Sequence, residues 1–311
     1  MDTLSDLYNA NAAVINLIGV NALLALSLYL TLACAMLSLS NAASMGIGAY
    51  TAAVLTQWAG WPLWPAVAGG ALVAGLVALP LGIPVLRLRG VFLAIATIGF
   101  GEVLRIGLIN APALGGPEGF RLGPQPRADV WAIWGTLAVV AFAFTRLRGS
   151  RARRAFEAIR EDESAARSMG IDVTFYKVAA YVTGALLAGL AGGLYAHSAG
   201  FISPDRFGFS TAVDILVFTV IGGTRAWPGA VLGAALITAL PNLLGFLQDW
   251  RTVFDGLVLL GVILFLPNGL LTLGDVLPGR RQAVCPAVIV PGTVLPAARL
   301  DHAPTAEEAE E

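Results

Sequence analysis

Few side chains in this chain have types and spacing suited to covalent chemistry. Lys177 is the only lysine, His197 and His302 are the only histidines, and Cys34 and Cys285 are the only cysteines. A phosphate-binding P-loop needs a glycine-lysine pair followed by serine or threonine, and a zinc site needs several clustered cysteine or histidine ligands. The sequence therefore predicts no P-loop ATPase, no metal centre, no cofactor and no enzyme activity.

Two charged residues stand out because they interrupt an apolar segment. Glu102 and Arg105 are three positions apart, which places them on one face of a helix. An isolated charge inside a bilayer costs at least about 2.5 kcal/mol on insertion scales. We therefore predict an intramembrane pair and favour a structural or subunit-interface role over direct contact with a substrate. His197 is expected to be a packed residue rather than a proton carrier.

The composition indicates a membrane protein, since 57% of residues are hydrophobic, 13% are charged and the mean hydropathy is +0.77. A soluble domain has roughly a quarter of its residues charged. Uncharged runs long enough to cross a bilayer occur at 14–37, 63–86, 130–145, 178–196 and 226–247. Similar runs that contain ionisable residues occur at 91–109, 213–224 and 253–273. A shorter run at 40–57 could span the membrane or re-enter it. The predicted fold class is all-α, a polytopic transmembrane helical bundle of about 8–10 spans with broken or re-entrant segments rich in small residues.

Positive charges indicate the orientation of these spans. Segment 146–177 carries eight of the nineteen Lys and Arg residues, and such loops stay in the cytoplasm. Nine crossings then place the N-terminus outside and the C-terminus in the cytoplasm. We predict three regions, which are an extracytoplasmic segment 1–13, a membrane domain 14–275 with a cytoplasmic loop at about 148–176, and a flexible cytoplasmic tail 276–311.

The cytoplasmic loop has a helical hydrophobic pattern. Phe156, Ile159, Ala166 and Met169 recur at spacings that place them on one face of a helix. Such a stripe fits a groove on a cytoplasmic partner, and the alternative is a solvated loop that only sets topology. The arginines need no nucleic-acid partner, because topology and a partner surface account for them.

Glycines cluster where spans begin or break. Gly46, Gly48, Gly222 and Gly223 belong to this set, and small residues let helices approach closely or unwind beside a cavity. Close packing is the expected role for most of them, with a position along a transport pathway as the alternative. The turn-rich outer loop 111–124 is either a docking site for another protein or an ordinary connector.

The loop also carries a motif. Ala165 and Ala166, followed after three residues by Gly170, resemble the EAA loop of ABC importer permeases. Ser164 occupies the position of the family's glutamate, and Glu163 lies one residue earlier. The resemblance implies that the loop contacts an ATPase subunit through the residues of the motif and the helical stripe, namely Phe156, Ile159, Glu163, Ala165, Ala166, Met169 and Gly170.

Over a wider range, residues 38–273 resemble the LivM-type permease subunit of branched-chain amino acid ABC importers. The stretches that carry the resemblance include GVFLAIATIGFGEVLRIGL from Gly90 and ISPDRFGFSTAVDILVFTVIGG from Ile202. The resemblance implies an inner-membrane location, lipid as the surrounding solvent, a second permease subunit (LivH-like), two ATPase subunits (LivG/LivF-like) and a periplasmic substrate-binding protein. A LivM-like permease for urea or amides, an ion-coupled secondary transporter and a membrane-embedded enzyme are the alternatives.

Overall fold

The computed structural model describes residues 2–86, 88, 90–123, 128–223 and 226–243, with side chains from residue 12 to residue 240. The predicted span 253–273 and the predicted tail 276–311 lie outside these residues. Ten α-helices occur in the described part of the chain. They are α1 Asp2–Leu32, α2 Asn41–Ala59, α3 Leu63–Val85, α4 Val91–Ile109, α5 Val130–Leu147, α6 Arg151–Glu161, α7 Glu163–Ser168, α8 Val173–Ala199, α9 Phe209–Gly222 and α10 Trp227–Leu243.

Five of these helices contain stretches that are long and apolar enough to cross a bilayer. They are Ala12–Leu32 within α1, α3, α4, α5 and α8, while α9 and α10 are shorter apolar helices. The described β-structure is a single antiparallel pair of two-residue strands, β1 Phe120–Arg121 and β2 Phe201–Ile202. The protein is thus a helical polytopic membrane protein, as the sequence predicted.

Helix α8 lies at the centre of the bundle and packs against α1, α2 and α3. Small residues make this packing close, because a Cβ atom added at Gly48 would collide with the backbone of Gly189. A Cβ atom at Gly192 would likewise collide with the carbonyl group of Met45. Lipid is as apolar as the side chains, so contact between helix backbones replaces the hydrophobic effect in holding such a bundle together.

The chain between α1 and α2 is a non-helical segment, residues 33–40, which we call the break. Its backbone turns at Ala35, which has a φ of 55°. The amide of Leu39 donates to Thr97 Oγ1 at 2.9 Å, and Asn41 Nδ2 donates to Ser27 Oγ at 2.6 Å. Irregular backbone within a membrane protein is tolerated where protein groups satisfy its hydrogen bonds. The non-helical segment therefore lies before α2, and the run 40–57, which was predicted to span or re-enter, corresponds to the continuous helix α2.

The two ends of the bundle differ in composition. The C-terminal end of α5, helices α6 and α7 and the start of α8 carry the basic loop. The C-terminal end of α2 and the starts of α3 and α5 carry exposed tryptophans, which are Trp58, Trp61, Trp64, Trp131 and Trp134. Tryptophan is enriched at the membrane-water interface. These rings therefore mark the boundary opposite the basic loop.

Candidate functional site

The basic loop folds into two short helices rather than one. Asp162 ends α6, and its Oδ1 accepts hydrogen bonds from the amides of Ser164 and Ala165 at 2.7 and 3.0 Å. An aspartate in this position satisfies the free amides at a helix N-terminus, so it starts a new helix. The predicted helical pattern is therefore divided at Asp162.

The apolar side chains of the loop face mainly into the protein. Phe156, Ile159 and Ala166 are buried, and Phe156 meets the ring of Tyr176 edge-on at 6.0 Å between centroids. Met169 is 81% exposed. The prediction that these residues form one stripe is wrong at Met169, because the helix breaks at Asp162 and Met169 follows the last residue of α7. The buried three anchor the loop and leave no apolar face there for a partner.

A different apolar surface remains on the loop. Met169 lies beside exposed Ala165 and Gly170, and Phe175 in the first turn of α8 is 64% exposed. Gly170 has a φ of 80°, a conformation that favours glycine, and it turns the chain from α7 toward α8. We call Ala165, Met169, Gly170 and Phe175 the coupling surface, after the ATPase contact predicted for this loop, which stays a prediction. Sequence reasoning did not single out Phe175, because the sequence pattern does not show which side chains at the start of α8 are exposed.

Glu163 connects the loop to the bundle. Its Oε1 accepts a hydrogen bond from Arg167 Nη2 at 2.6 Å, and its Oε2 accepts one from Lys177 Nζ at 2.7 Å. The Lys177 side chain is only 14% exposed. The chain's only lysine thus joins the first residue of α7 to the first turns of α8.

At the opposite end, Glu102 and Arg105 belong to a larger ion network than expected. Arg105 Nε donates to Glu102 Oε2 at 2.8 Å, and Arg105 Nη1 donates to Asp205 Oδ1 at 2.8 Å. The amide of Phe209 donates to Glu102 Oε1 at 3.1 Å. The side chains of Glu102 and Arg105 are about one-third exposed. The network ties α4 to the 3₁₀ turn Pro204–Phe207 and to the start of α9.

We expect Glu102→Gln and Arg105→Gln each to lower the amount of folded protein in the membrane. The first variant removes one of the two carboxylates that pair with Arg105, and the second removes the cation that pairs with Glu102. The double variant should recover part of the loss, with a coupling energy of about 1 kcal/mol. Detergent-solubilised thermal stability of the four proteins measures this coupling. Strictly additive losses would show that the two side chains do not stabilise each other. A role of Glu102 and Arg105 along a transport pathway stays a prediction.

The glycines of the predicted pathway set make close contacts. A Cβ atom at Gly46 would meet the Phe207 ring at 2.9 Å, and one at Gly222 would collide with the carbonyl of Gly229. Gly223 has a φ of 96° and ends α9. These contacts give each position a packing or turn role, and a role along a transport pathway stays a prediction.

His197 is buried and fully hydrogen-bonded. Its Nδ1 lies 2.8 Å from the carbonyl oxygen of Gly193, and its Nε2 lies 2.9 Å from Thr56 Oγ1. A carbonyl oxygen can only accept, so Nδ1 carries a proton, and Nε2 is free to accept from the hydroxyl of Thr56. The ring joins α2 to α8, which agrees with a packing role.

Within the part of the chain that the structure describes, no group of three or more His, Cys, Asp or Glu residues could hold a metal ion.

A protein-family model described as branched-chain amino acid transport system / permease component matches residues 11–266 of this chain. The chain belongs to this family.

Individual relatives agree with the family. The chain is 34% identical over 259 residues to the high-affinity branched-chain amino acid transport system permease protein LivM of Salmonella typhimurium, covering 72% of this chain and 61% of the relative. Identity to LivM of Escherichia coli K12 is 33% over the same shares. The autoinducer 2 import system permease protein LsrC of Escherichia coli O157:H7 is 31% identical over 53% of this chain and 50% of its own. The chain thus spans about three-fifths of the length of the LivM relatives, and no solved structure matches it.

Proposed function

We propose that this family member is the permease subunit of an ABC importer that moves branched-chain or related amino acids across the inner membrane. It would pair with a second, similar permease subunit and use ATP hydrolysed by two cytoplasmic ATPase subunits. A periplasmic binding protein would deliver the substrate. The permease itself supplies half of the gated route and the surface through which the ATPases act.

The coupling surface carries this proposal. Met169 and Phe175 expose apolar side chains on a basic loop that is anchored to the bundle by buried Ile159, Ala166 and Val173. Exposed apolar side chains among charged ones on a helical loop have the composition of a protein-docking site. Because the loop is fixed to α8, force applied there reaches the centre of the bundle.

The proposed orientation places the basic loop and the C-terminus in the cytoplasm and the N-terminus outside. Basic residues at one end of the bundle and exposed tryptophans at the other support this orientation. The turn-rich loop then lies outside, where its left-handed glycines Gly115, Gly116 and Gly119 and the β1–β2 pair hold a compact shape. A surface of this kind suits docking of the binding protein.

The ion-coupled alternative needs an acidic group that can exchange protons or sodium within the membrane. Glu102 already accepts hydrogen bonds from Arg105 and from the Phe209 amide, so it is stabilised as a fixed carboxylate. The urea and amide alternatives differ from the amino-acid proposal in substrate alone. LsrC is named for import of a different compound, so substrate choice needs a direct test.

Uptake by cells that lack the gene, compared with uptake by complemented cells, tests both the energy source and the substrate. Complemented cells should accumulate labelled leucine, and unlabelled isoleucine or valine should compete where urea and acetamide do not. Uptake should persist when the proton and sodium gradients are collapsed and ATP is maintained. Uptake that disappears with the ion gradients would favour the secondary transporter, and competition by urea or acetamide alone would favour the other substrates.

A further inference from the structure

The break between α1 and α2 borders the same cavity as the ion pair of the basic loop. Ala35 and Met36 of the break line a partly open cavity of about 210 Å³. Glu163 and Lys177 line this cavity as well. The loop that carries the coupling surface and the irregular part of the bundle therefore face each other across one small space.

One side of this cavity is held by a salt bridge that joins two helices. Lys177 belongs to α8 and Glu163 to α7, and their charged atoms are 2.7 Å apart. The Arg153–Glu157 and Arg167–Glu163 pairs each lie within a single helix. Arg153 also donates to Tyr29 Oη of α1, over a longer distance of 3.4 Å. The salt bridge between α7 and α8 adds to the buried contacts of Ile159, Ala166 and Val173, so a displacement of α7 carries the first turns of α8 with it.

The other side of the cavity is the break, whose hydrogen bonds hold the start of α2. Leu39 is bound to Thr97 of α4, and Asn41 is bound to Ser27 of α1. Close-packed interiors resist displacement, whereas a non-helical segment beside a cavity has room to shift. A shift of the break changes how α2 begins, and α2 packs along α8 and α3 at the centre of the bundle.

We propose that the Glu163–Lys177 pair is the relay that transmits ATPase-driven movement of the coupling surface to the break, and through it to the start of α2. Both residues act as positioning residues, since neither is part of the coupling surface. The inference rests on the proposed function, because it requires ATPase subunits that dock on the loop. It adds the internal element that receives their movement.

The complete importer in proteoliposomes tests the relay, with Cys34 of the break as a native reporter. Cys34 is buried, and a Cys285→Ser background leaves it as the chain's only thiol. The variants are Glu163→Gln, Lys177→Met and the exchanged double variant Glu163→Lys with Lys177→Glu. Arg167→Gln is the matched control, because it removes the more exposed partner of the same carboxylate. Measurements are the ATP hydrolysed per amino acid transported and the maleimide labelling of Cys34 with and without a non-hydrolysable ATP analogue.

In the unaltered complex, the analogue should change Cys34 labelling. Each single variant should keep its ATPase subunits and lose that change, while the ATP used per transported molecule rises about fivefold or more. The exchanged variant should recover most of both, and Arg167→Gln should match the unaltered complex. Loss of ATPase subunits from a single variant would indicate misfolding, and the exchanged variant then decides.

The relay would be overturned by single variants that keep both the analogue-induced change in Cys34 labelling and the ATP used per transported molecule of the unaltered complex. It would also be overturned by an exchanged double variant that does no better than a misfolded single variant. In either case the unaltered complex would still couple ATP hydrolysis to uptake. An unaltered complex in which ATP drives no uptake would instead contradict the proposed function itself. The two failures are therefore distinguishable.

Discussion

Replacing Gly48 with leucine is expected to prevent stable folding of this permease. A side chain at this position would collide with the backbone of Gly189 in α8, and neither helix can move away without opening the centre of the bundle. Overpacking against a backbone costs about 3 kcal/mol or more. We expect little protein in the membrane and an apparent Tm lower by about 6 °C or more in detergent.

Gly107→Leu is the matched control, because a Cβ atom at Gly107 in α4 meets nothing within 4 Å. This variant removes a glycine from a helix without a collision, so its level in the membrane and its Tm should be close to those of the unaltered protein. Equal behaviour of the two variants would show that the α2–α8 contact is not the close contact described here.

Replacing Met169 with aspartate is expected to release the ATPase subunits while leaving the permease folded. Met169 is 81% exposed, so a charge there costs the isolated subunit little. At the centre of an interface, loss of an apolar contact typically costs roughly 2 kcal/mol, which is about thirtyfold in Kd. Co-purification of the ATPase subunits and the Tm of the permease measure the two effects separately.

Two further variants define the result. Met169→Leu keeps an apolar side chain and should retain the ATPase subunits. Ala166→Glu places a charge at a buried position, so it should lower the Tm as well as the binding. Full ATPase binding by Met169→Asp would remove Met169 from the docking site and leave Phe175 as the remaining apolar candidate.

The membrane helices were predicted best where charge or turn residues limit an apolar run. The run 91–109 corresponds to α4 Val91–Ile109, with arginine and glycine before it and a proline-containing turn after it. The run 14–37 was less accurate, since α1 begins at Asp2 and ends at Leu32. Hydropathy continues through the start of the break because Cys34 and Met36 are buried by protein. Burial in protein and exposure to lipid give the same apolar signal.

The candidate sites show which interactions sequence can and cannot reveal. The spacing of Glu102 and Arg105 predicted a contact within one helix, whereas Asp205 is 100 residues away from Arg105 and required the fold. In the loop, periodicity alone predicted a continuous stripe through Met169. The capping signal of Asp162 was present in the sequence, and its use would have divided the loop into two helices.

The most direct test of the central claim is leucine uptake by proteoliposomes that contain this chain, a second permease subunit and both ATPases. ATP is supplied on the cytoplasmic side, and the binding protein with labelled leucine on the other. We predict uptake that requires both ATP and this chain, and that is lost with Met169→Asp. ATP-driven uptake without this chain, or uptake by this chain alone driven by an ion gradient, would contradict its assignment as the permease subunit of an ATP-driven importer.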